Sequence, residues 1–335
     1  MKIFVTGANG FLGSAVVRHL INAGYPVRAF VRRSSNLKLL DGFDIEIARG
    51  DVRDFEAVNK AMDGCGVVFH LASVYEFYPW WQRRAKSIYE TNLEGAKNVL
   101  KAALRHNIER CVFTSSIVSI GKSPDGQLSD ETTEFNFWQN SSHYARSKVL
   151  AEQEVFKAIA RGLAAVILNP AILIGQRDYK PTPSGEMIVK FLNESYPFYF
   201  KALMAFADVD DVARTHVAAI EKGRVGQRYI LCGKKAYSLK EFFELLEEIT
   251  GVPAPRKKIP YPMLLSFLYV DEVLSYFVFK KKPLMPSEGT KFCRMSLKFD
   301  NSKAVRELGY KQTPFKETLT KAVNWYKENG YVKNA

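Results

Sequence analysis

Paired cysteines are missing. The four in 335 residues, Cys65, Cys111, Cys232 and Cys293, stand far apart and form no CxxC. A disulfide scaffold and the usual zinc knuckles are therefore excluded, and a reducing compartment is expected. No stretch of 18 or more residues is free of charge, so no membrane-spanning helix is expected. The first residues, Met1-Lys2-Ile3-Phe4-Val5-Thr6-Gly7, read as a strand entering a turn rather than an apolar segment with a cleavage site. The expectation is a cytoplasmic protein. Histidine is scarce too: His19, His70, His106, His143 and His216 show no metal-ligand spacing, so no metal is expected. There is no internal repeat and no low-complexity linker.

Hydrophobic residues make up 47% and charged residues 25% of the chain, a globular balance with enough length for a sizeable core. Lysine and arginine number 48 against 35 acidic residues, a net charge of +13. Most are scattered in pairs, such as Arg32-Arg33, Arg83-Arg84 and Lys257-Lys258; only Lys280-Lys281-Lys282 makes a run. This sign favours a phosphorylated cofactor, an anionic membrane surface or nucleic acid. No nucleic-acid recognition motif is visible, and that partner is not expected.

Residues 3–6, 27–31, 45–48, 67–71, 111–115 and 165–168 read as strands. Between them 12–22, 55–62 and the long 88–106 read as helices. Strand and helix in alternation predict an α/β fold, a Rossmann-type doubly wound parallel sheet that binds its ligand at the strands' carboxyl ends. After Pro170 the regularity fails. Pro and Gly cluster at Lys180-Pro181-Thr182-Pro183-Ser184-Gly185, and helices are expected at 210–221, 239–250 and 315–326. A division follows into a dinucleotide-binding part, 1–170, and a smaller substrate lobe, 171–335, with the chain crossing back between them.

The first strand runs into Thr6-Gly7-Ala8-Asn9-Gly10-Phe11-Leu12-Gly13. Gly7 permits the tight turn, Gly10 lets backbone approach a pyrophosphate, and Gly13 lets the helix pack on the strand. Three glycines alone are a weak signal; the strand before and the helix after strengthen it. At the end of the second strand a carboxylate would accept from a ribose 2′-hydroxyl, whereas arginine accommodates a 2′-phosphate. Here stand Arg32 and Arg33, with Lys38 nearby. NADP(H) is favoured and NAD(H) stays open; a solvated basic loop is the plainer alternative.

Tyr144-Ala145-Arg146-Ser147-Lys148 heads a helical pattern. At i and i+4, Tyr144 and Lys148 share a face. An ammonium near the phenol would lower its pKa, letting it pass a proton to or from a carbinol oxygen while hydride moves. By itself YxxxK often marks only a helix surface. Upstream, Cys111-Val112-Phe113-Thr114-Ser115-Ser116 is a strand ending in hydroxyls suited to the same oxygen.

On these residues the chain resembles the extended short-chain dehydrogenase/reductases. The resemblance adds Asp51-Val52, His70-Leu71-Ala72, Asn92, Asn169-Pro170 leading to Gly175, and Val209-Asp210-Asp211. It implies a Ser116, Tyr144 and Lys148 triad, with Lys148 also holding the nicotinamide ribose. It implies a cofactor site of the loop with Phe11 and Leu12, of Asp51 and Val52 by the adenine, of Leu71 and Ala72 along the channel, and of Pro170 and Ile172. Ser73, Tyr75, Ser116 and Tyr144 are the implied substrate contacts. Within the family it is similar to the dihydroflavonol-reductase-like branch, close to bacterial hopanoid-associated sugar epimerases, on Gly175-Gln176-Arg177-Asp178-Tyr179-Lys180 and Phe299-Asp300-Asn301-Ser302 among other segments. Tyr75-Glu76-Phe77-Tyr78-Pro79-Trp80-Trp81 is more aromatic than that branch implies.

Three functions remain: an NADP(H)-dependent reductase of a carbonyl compound, an epimerase of a nucleotide-linked sugar with retained NAD, and an idle redox sensor. The epimerase needs arginines for a second pyrophosphate, for which Arg228 and Arg294 are candidates. The aromatic segments 75–81 and Tyr196-Pro197-Phe198-Tyr199-Phe200 favour an apolar or planar substrate, or are core packing. His70 reads as a core histidine and Asp210-Asp211 as a helix cap. A monomer or homodimer is expected. Residues 263–279, followed by three lysines, read either as a helix buried in the second lobe or as one lying on an anionic bilayer, with Asp271, Glu272 and Ser275 on one side.

Overall fold

Strands of a parallel sheet covered on both faces must be apolar throughout. Accordingly β1 (Ile3–Thr6) and β4 (Val67–His70) are buried along their whole length. The structure, a computed structural model, describes residues 1–75, 85–124, 126–194, 196–280 and 287–332. The rest of the framework is α1 (Phe11–Asn22), β2 (Val27–Val31), β3 (Glu46–Arg49) and α2 (Phe55–Met62). Then come α3 (Ala85–Tyr89), a π turn Glu90–Glu94, α4 (Gly95–Arg105), β5 (Arg110–Thr114), α5 (His143–Ala160) and β6 (Ala165–Pro170). The expected helix at 88–106 is thus interrupted by the π turn, and β3 sits one residue later than expected.

Across Ala171 the chain passes into β7 (Ile172–Ile174), α6 (Pro183–Glu194), β8 (Leu203–Asp208), α7 (Val209–Lys222), β9 (Arg228–Leu231), β10 (Ala236–Ser238) and α8 (Leu239–Thr250). Then follow α9 (Tyr261–Val273) with a π turn Leu274–Val278, α10 (Ser287–Arg294), α11 (Ser302–Leu308) and α12 (Phe315–Glu328). The Pro/Gly cluster is the run-in to α6, whose first residue is Pro183, a position where proline's missing N–H costs nothing.

Seven parallel strands lie in the order β3-β2-β1-β4-β5-β6-β9, and a second sheet has the order β10-β8-β7. β9 is contributed from beyond residue 170, the crossing-back that the sequence suggests. Strand order reverses between β1 and β4, which opens a crevice at their carboxyl ends. One face of the large sheet buries a core with α1, α7 and α11; the other packs on α2, α4 and α5. A third core, with Phe206 stacked on both Phe242 and Phe315 at its centre, joins the small sheet to α6, α8, α9 and α12. Among the described residues, no helix is long and apolar enough to cross a membrane.

Candidate active site

The crevice between β1 and β4 is a groove of about 420 Å³. Gly7, Gly10, Arg32, Asp51, Val52, Leu71, Ala72 and Ser73 all line it. Its floor requires glycine at two points. Gly7 has φ +69°, and a Cβ there would meet Ala72 N at 2.7 Å. A Cβ on Gly13 would lie 2.0 Å from the Gly7 carbonyl oxygen. With no side-chain cap at Gly10, the first N–H groups of α1 are left for an anion. Phe11, Leu12 and Gly13 form that first turn. The lining, the close backbone approach and the helix N-terminus fit a dinucleotide.

Thr6 ties the two walls together. Its hydroxyl oxygen accepts from Leu71 N and Ala72 N, both at 3.2 Å, and it donates to His70 Nδ1 at 2.8 Å. His70 is a buried core histidine, as expected, and burial pushes its pKa down to about 3. The basic pair separates: Arg32 lines the groove, whereas Arg33 does not. Arg53, which the sequence reading passed over, lines it too and grips Asp51 through Nε at 3.0 Å and Nη2 at 2.8 Å. That contact holds the Asp51 carboxyl below its usual range, with Arg32 adding a smaller share.

At the far end, β5 and α5 bring Ser116, Tyr144 and Lys148 together. Ser142 caps α5 by accepting from Ala145 N, which sets Tyr144 in the first turn and Lys148 one turn later. The Ser116 hydroxyl donates to the Pro170 carbonyl oxygen at 3.5 Å and lies close enough to the Tyr144 phenol to favour its charged form. Ser115, by contrast, turns to Ser119 at 3.3 Å. Tyr75 stands edge-on to Tyr144 with centroids 4.9 Å apart. Beside Ser116 is a small apolar crevice formed by Ile117, Ile172, Leu297 and Phe299. Ile172 therefore sits at this end and not along the groove.

Electrostatics here differ from the expectation that lysine lowers the phenol's pKa. Lys148 Nζ donates to the Thr114 carbonyl at 3.0 Å and lies 5.9 Å from the Tyr144 ring centroid. Burial dominates: it pushes the Tyr144 phenol well above its ordinary value, Ser116 opposing. Burial also pushes Lys148 down to about 8, and the carboxylate of Glu152 resists that shift.

Several supporting side chains come from far along the chain. Asn92, in the π turn, accepts from Val74 N at 2.7 Å and Ser73 Oγ at 3.1 Å, and donates to Ser147 Oγ at 3.0 Å. One buried amide thus joins the groove wall to α5, and it already engages the Ser73 hydroxyl. Glu152 accepts from Ser119 Oγ at 2.6 Å and Asn169 Nδ2 at 2.7 Å. His216 Nε2 meets Thr114 Oγ1 at 2.9 Å, while its Nδ1 faces the Val212 carbonyl. A carbonyl can only accept, so Nδ1 carries the proton and Nε2 accepts from Thr114.

Arg228 is spent on the Glu131 carbonyl at 3.0 Å and on Glu152 at 3.4 Å. Arg294 lies over the Tyr261 ring at 4.2 Å. Tyr196 and Phe200 pack into the third core. The cap of α7 is Asp208, which accepts from Asp210 N and Asp211 N; Asp210 instead pairs with Arg18, and Asp211 with Arg214 at 2.7 Å. Residues 76–81 of the aromatic segment, Arg83-Arg84, Lys281-Lys282 and the Cys293 side chain lie outside the described residues. Among the described residues, no group of His, Cys, Asp or Glu could hold a metal ion.

A family model described as the NAD dependent epimerase/dehydratase family matches residues 3–232. The chain belongs to that family. It is 40% identical over 335 residues to a putative dihydroflavonol 4-reductase of Synechocystis, covering 98% of this chain and 96% of the relative. It is 30% identical to sterol demethylase protein B of Methylococcus capsulatus, covering 99% and 100%. Among solved structures, gox2253 superposes with a TM-score of 0.84 at 34% identity, covering 99% of each chain. A nucleoside-diphosphate-sugar epimerase from Pseudomonas aeruginosa, PA4631, shares the fold with a TM-score of 0.81 at 22% identity and 99% coverage of each. An NAD(P)-dependent oxidoreductase or epimerase of the extended short-chain type is what these findings establish.

Proposed function

We propose that the protein is an NADP(H)-dependent oxidoreductase acting at the carbonyl or carbinol carbon of a small apolar substrate. The observation that carries it is that the Ser142 cap sets Tyr144 and Lys148 one turn apart on the buried face of α5, with Ser116 beside the phenol. A nicotinamide dinucleotide bound along the groove supplies or accepts the hydride. Ser116 Oγ and Tyr144 Oη then hold the substrate oxygen, and Tyr144 gives it the proton that turns carbonyl into hydroxyl. A phenol held neutral by burial is poised to donate. Lys148, charged below about pH 8, is placed to hold the cofactor's ribose and to replenish the charge balance at the phenol. Leu71 and Ala72 wall the channel, Asp51 and Val52 border the adenine end, and Arg32 favours a 2′-phosphate there. Pro170 and Ile172 border the nicotinamide end.

Tyr75, edge-on to Tyr144, supports an apolar or planar substrate. A nucleotide-linked sugar would need a cationic site for its second pyrophosphate, and Arg228 and Arg294 are both engaged elsewhere. The test is to identify the nucleotide that co-purifies and to screen carbonyl compounds for NADPH oxidation. Stoichiometric NAD retained through purification, with no NADPH oxidation, would select the epimerase.

A further inference from the structure

Helix α9 and the π turn after it form one continuous rod whose sides are sorted against the usual rule. Leu264 and Leu268 face inward, followed by Glu272 and Ser275 at 1% and 0% exposure. Met263, Phe267, Val270, Leu274, Phe277 and Val278 are exposed, the last two at 62% each. They fall at i, i+4, i+7, i+11, i+14 and i+15, one stripe of a helix. The inward polar groups have partners: the Glu272 carboxylate accepts from Ser287 N at 2.7 Å and Ser287 Oγ at 3.2 Å, securing the first turn of α10. Nothing among the described residues covers the outward stripe, and an uncovered contiguous apolar patch marks an interaction surface.

Cations frame it at both ends. Lys257 and Lys258, both exposed, precede α9, and Lys280, exposed, follows the rod at once. Their neighbour Arg256 is held by Glu247 at 2.7 Å. A second copy of this chain would press like-charged frames together, with +13 on each molecule. An anionic bilayer complements both the stripe and its frame. Among the described residues no helix is long and apolar enough to cross a membrane, so a docked rod lies along the surface.

We infer that the outward face of Tyr261–Val278 docks on an anionic membrane surface, seated in the headgroup region. The docked helix reaches towards the site through α10. Glu288 of α10 is near enough for its charge to act on Tyr89, whose hydroxyl is 3.1 Å from His143 Nδ1, next to Tyr144.

Full-length protein is sedimented with vesicles of phosphatidylcholine plus phosphatidylglycerol, and with phosphatidylcholine alone. It is expected to pellet with the anionic vesicles at low salt and to be released as salt rises. Phe277→Ser/Val278→Ser should weaken partitioning at least tenfold. Lys257→Gln/Lys258→Gln/Lys280→Gln should weaken it about a hundredfold, roughly fivefold per lysine. Unchanged dinucleotide affinity certifies that each variant is folded. The inference is overturned if wild-type protein stays in the supernatant with both vesicles, or if both variants pellet like wild type. A wild-type dimer that the serine pair dissociates, with no vesicle binding by either form, gives the face to a second copy and also overturns it. None of these outcomes depends on which carbonyl or cofactor the enzyme uses.

Discussion

The dinucleotide groove and the α9 rod are both helix-bordered surfaces, but they are built by opposite logic. In the groove, local sequence dictates backbone: Gly7 must adopt positive φ, Gly13 must lack a Cβ, and the helix that follows starts without a side-chain cap. Thr6 at the end of β1 accepts from Leu71 N and Ala72 N just past β4 and so ties the two walls directly. In α9 the sequence is apolar nearly all round, so periodicity cannot say which side faces in. A single long-range contact, Glu272 on the start of α10, turns the polar residues inward and the apolar ones out. Local chemistry makes a site legible; a tertiary cap does not announce itself.

The same division runs through the rest of the chain. The parallel sheet and the Tyr144–Lys148 pairing were legible because both are matters of period and spacing. Thr6 and Asn92 were legible only as members of motifs, without the contacts they make, and Glu152 was not singled out at all. Their partners lie far along the chain, Ala72 at 66 positions from Thr6, and a lone Asn or Thr carries no signature of its role. The phenol's pKa was misjudged for a related reason. Spacing shows that Lys148 shares a face with Tyr144, but not that its ammonium turns to the Thr114 carbonyl. The cap of α7 was missed by two residues because the run Asp208-Val209-Asp210-Asp211 offers three carboxylates and only geometry selects one.

Four measurements break or sharpen the comparison. Tyr144→Phe should have the largest effect, lowering kcat by about 10²–10⁴, the usual cost of one general acid. Dinucleotide affinity, which the groove supplies, should stay within a few fold. A variant retaining more than half of wild-type kcat would remove Tyr144 from its role. Arg32→Asp comes next. Charge-assisted contacts to a phosphate are worth roughly 1.5–3 kcal/mol, so the preference for NADP(H) should fall about ten- to a hundredfold and turn towards NAD(H). Titration of both cofactors decides it, and equal affinities in the wild type would contradict the reading.

The third measurement is a pH profile. Burial holds Lys148 down at about 8, so its ammonium is present below that pH and lost as pH rises through it. Reduction should therefore be level on the acid side and decline through about pH 8. Glu152→Gln keeps the shape but removes the charge that raises the lysine, and should move the declining limb to lower pH by about one unit. A merely structural glutamate would change activity without moving the limb. Stability follows the same titration. With its folded pKa depressed below 10.5, Lys148 costs stability in full below about 8, and that cost shrinks as pH rises towards 10.5.

The smallest effect is expected at the α9 end, from Glu272→Ala. The carboxylate satisfies the Ser287 N–H and hydroxyl and places negative charge at the start of α10. Losing a cap of this kind costs about 1–2 kcal/mol, partly offset because an anion no longer has to be buried. Hydrogen exchange should accelerate across Ser287–Arg294, while β1 and β4 keep their protection and dinucleotide affinity is unchanged. Faster exchange at β1, or a loss of cofactor affinity, would mean that the two regions are energetically one and that the contrast between them fails. Exchange confined to α10 would show that the polarity of α9 rests on this one contact, while the groove keeps its own local support.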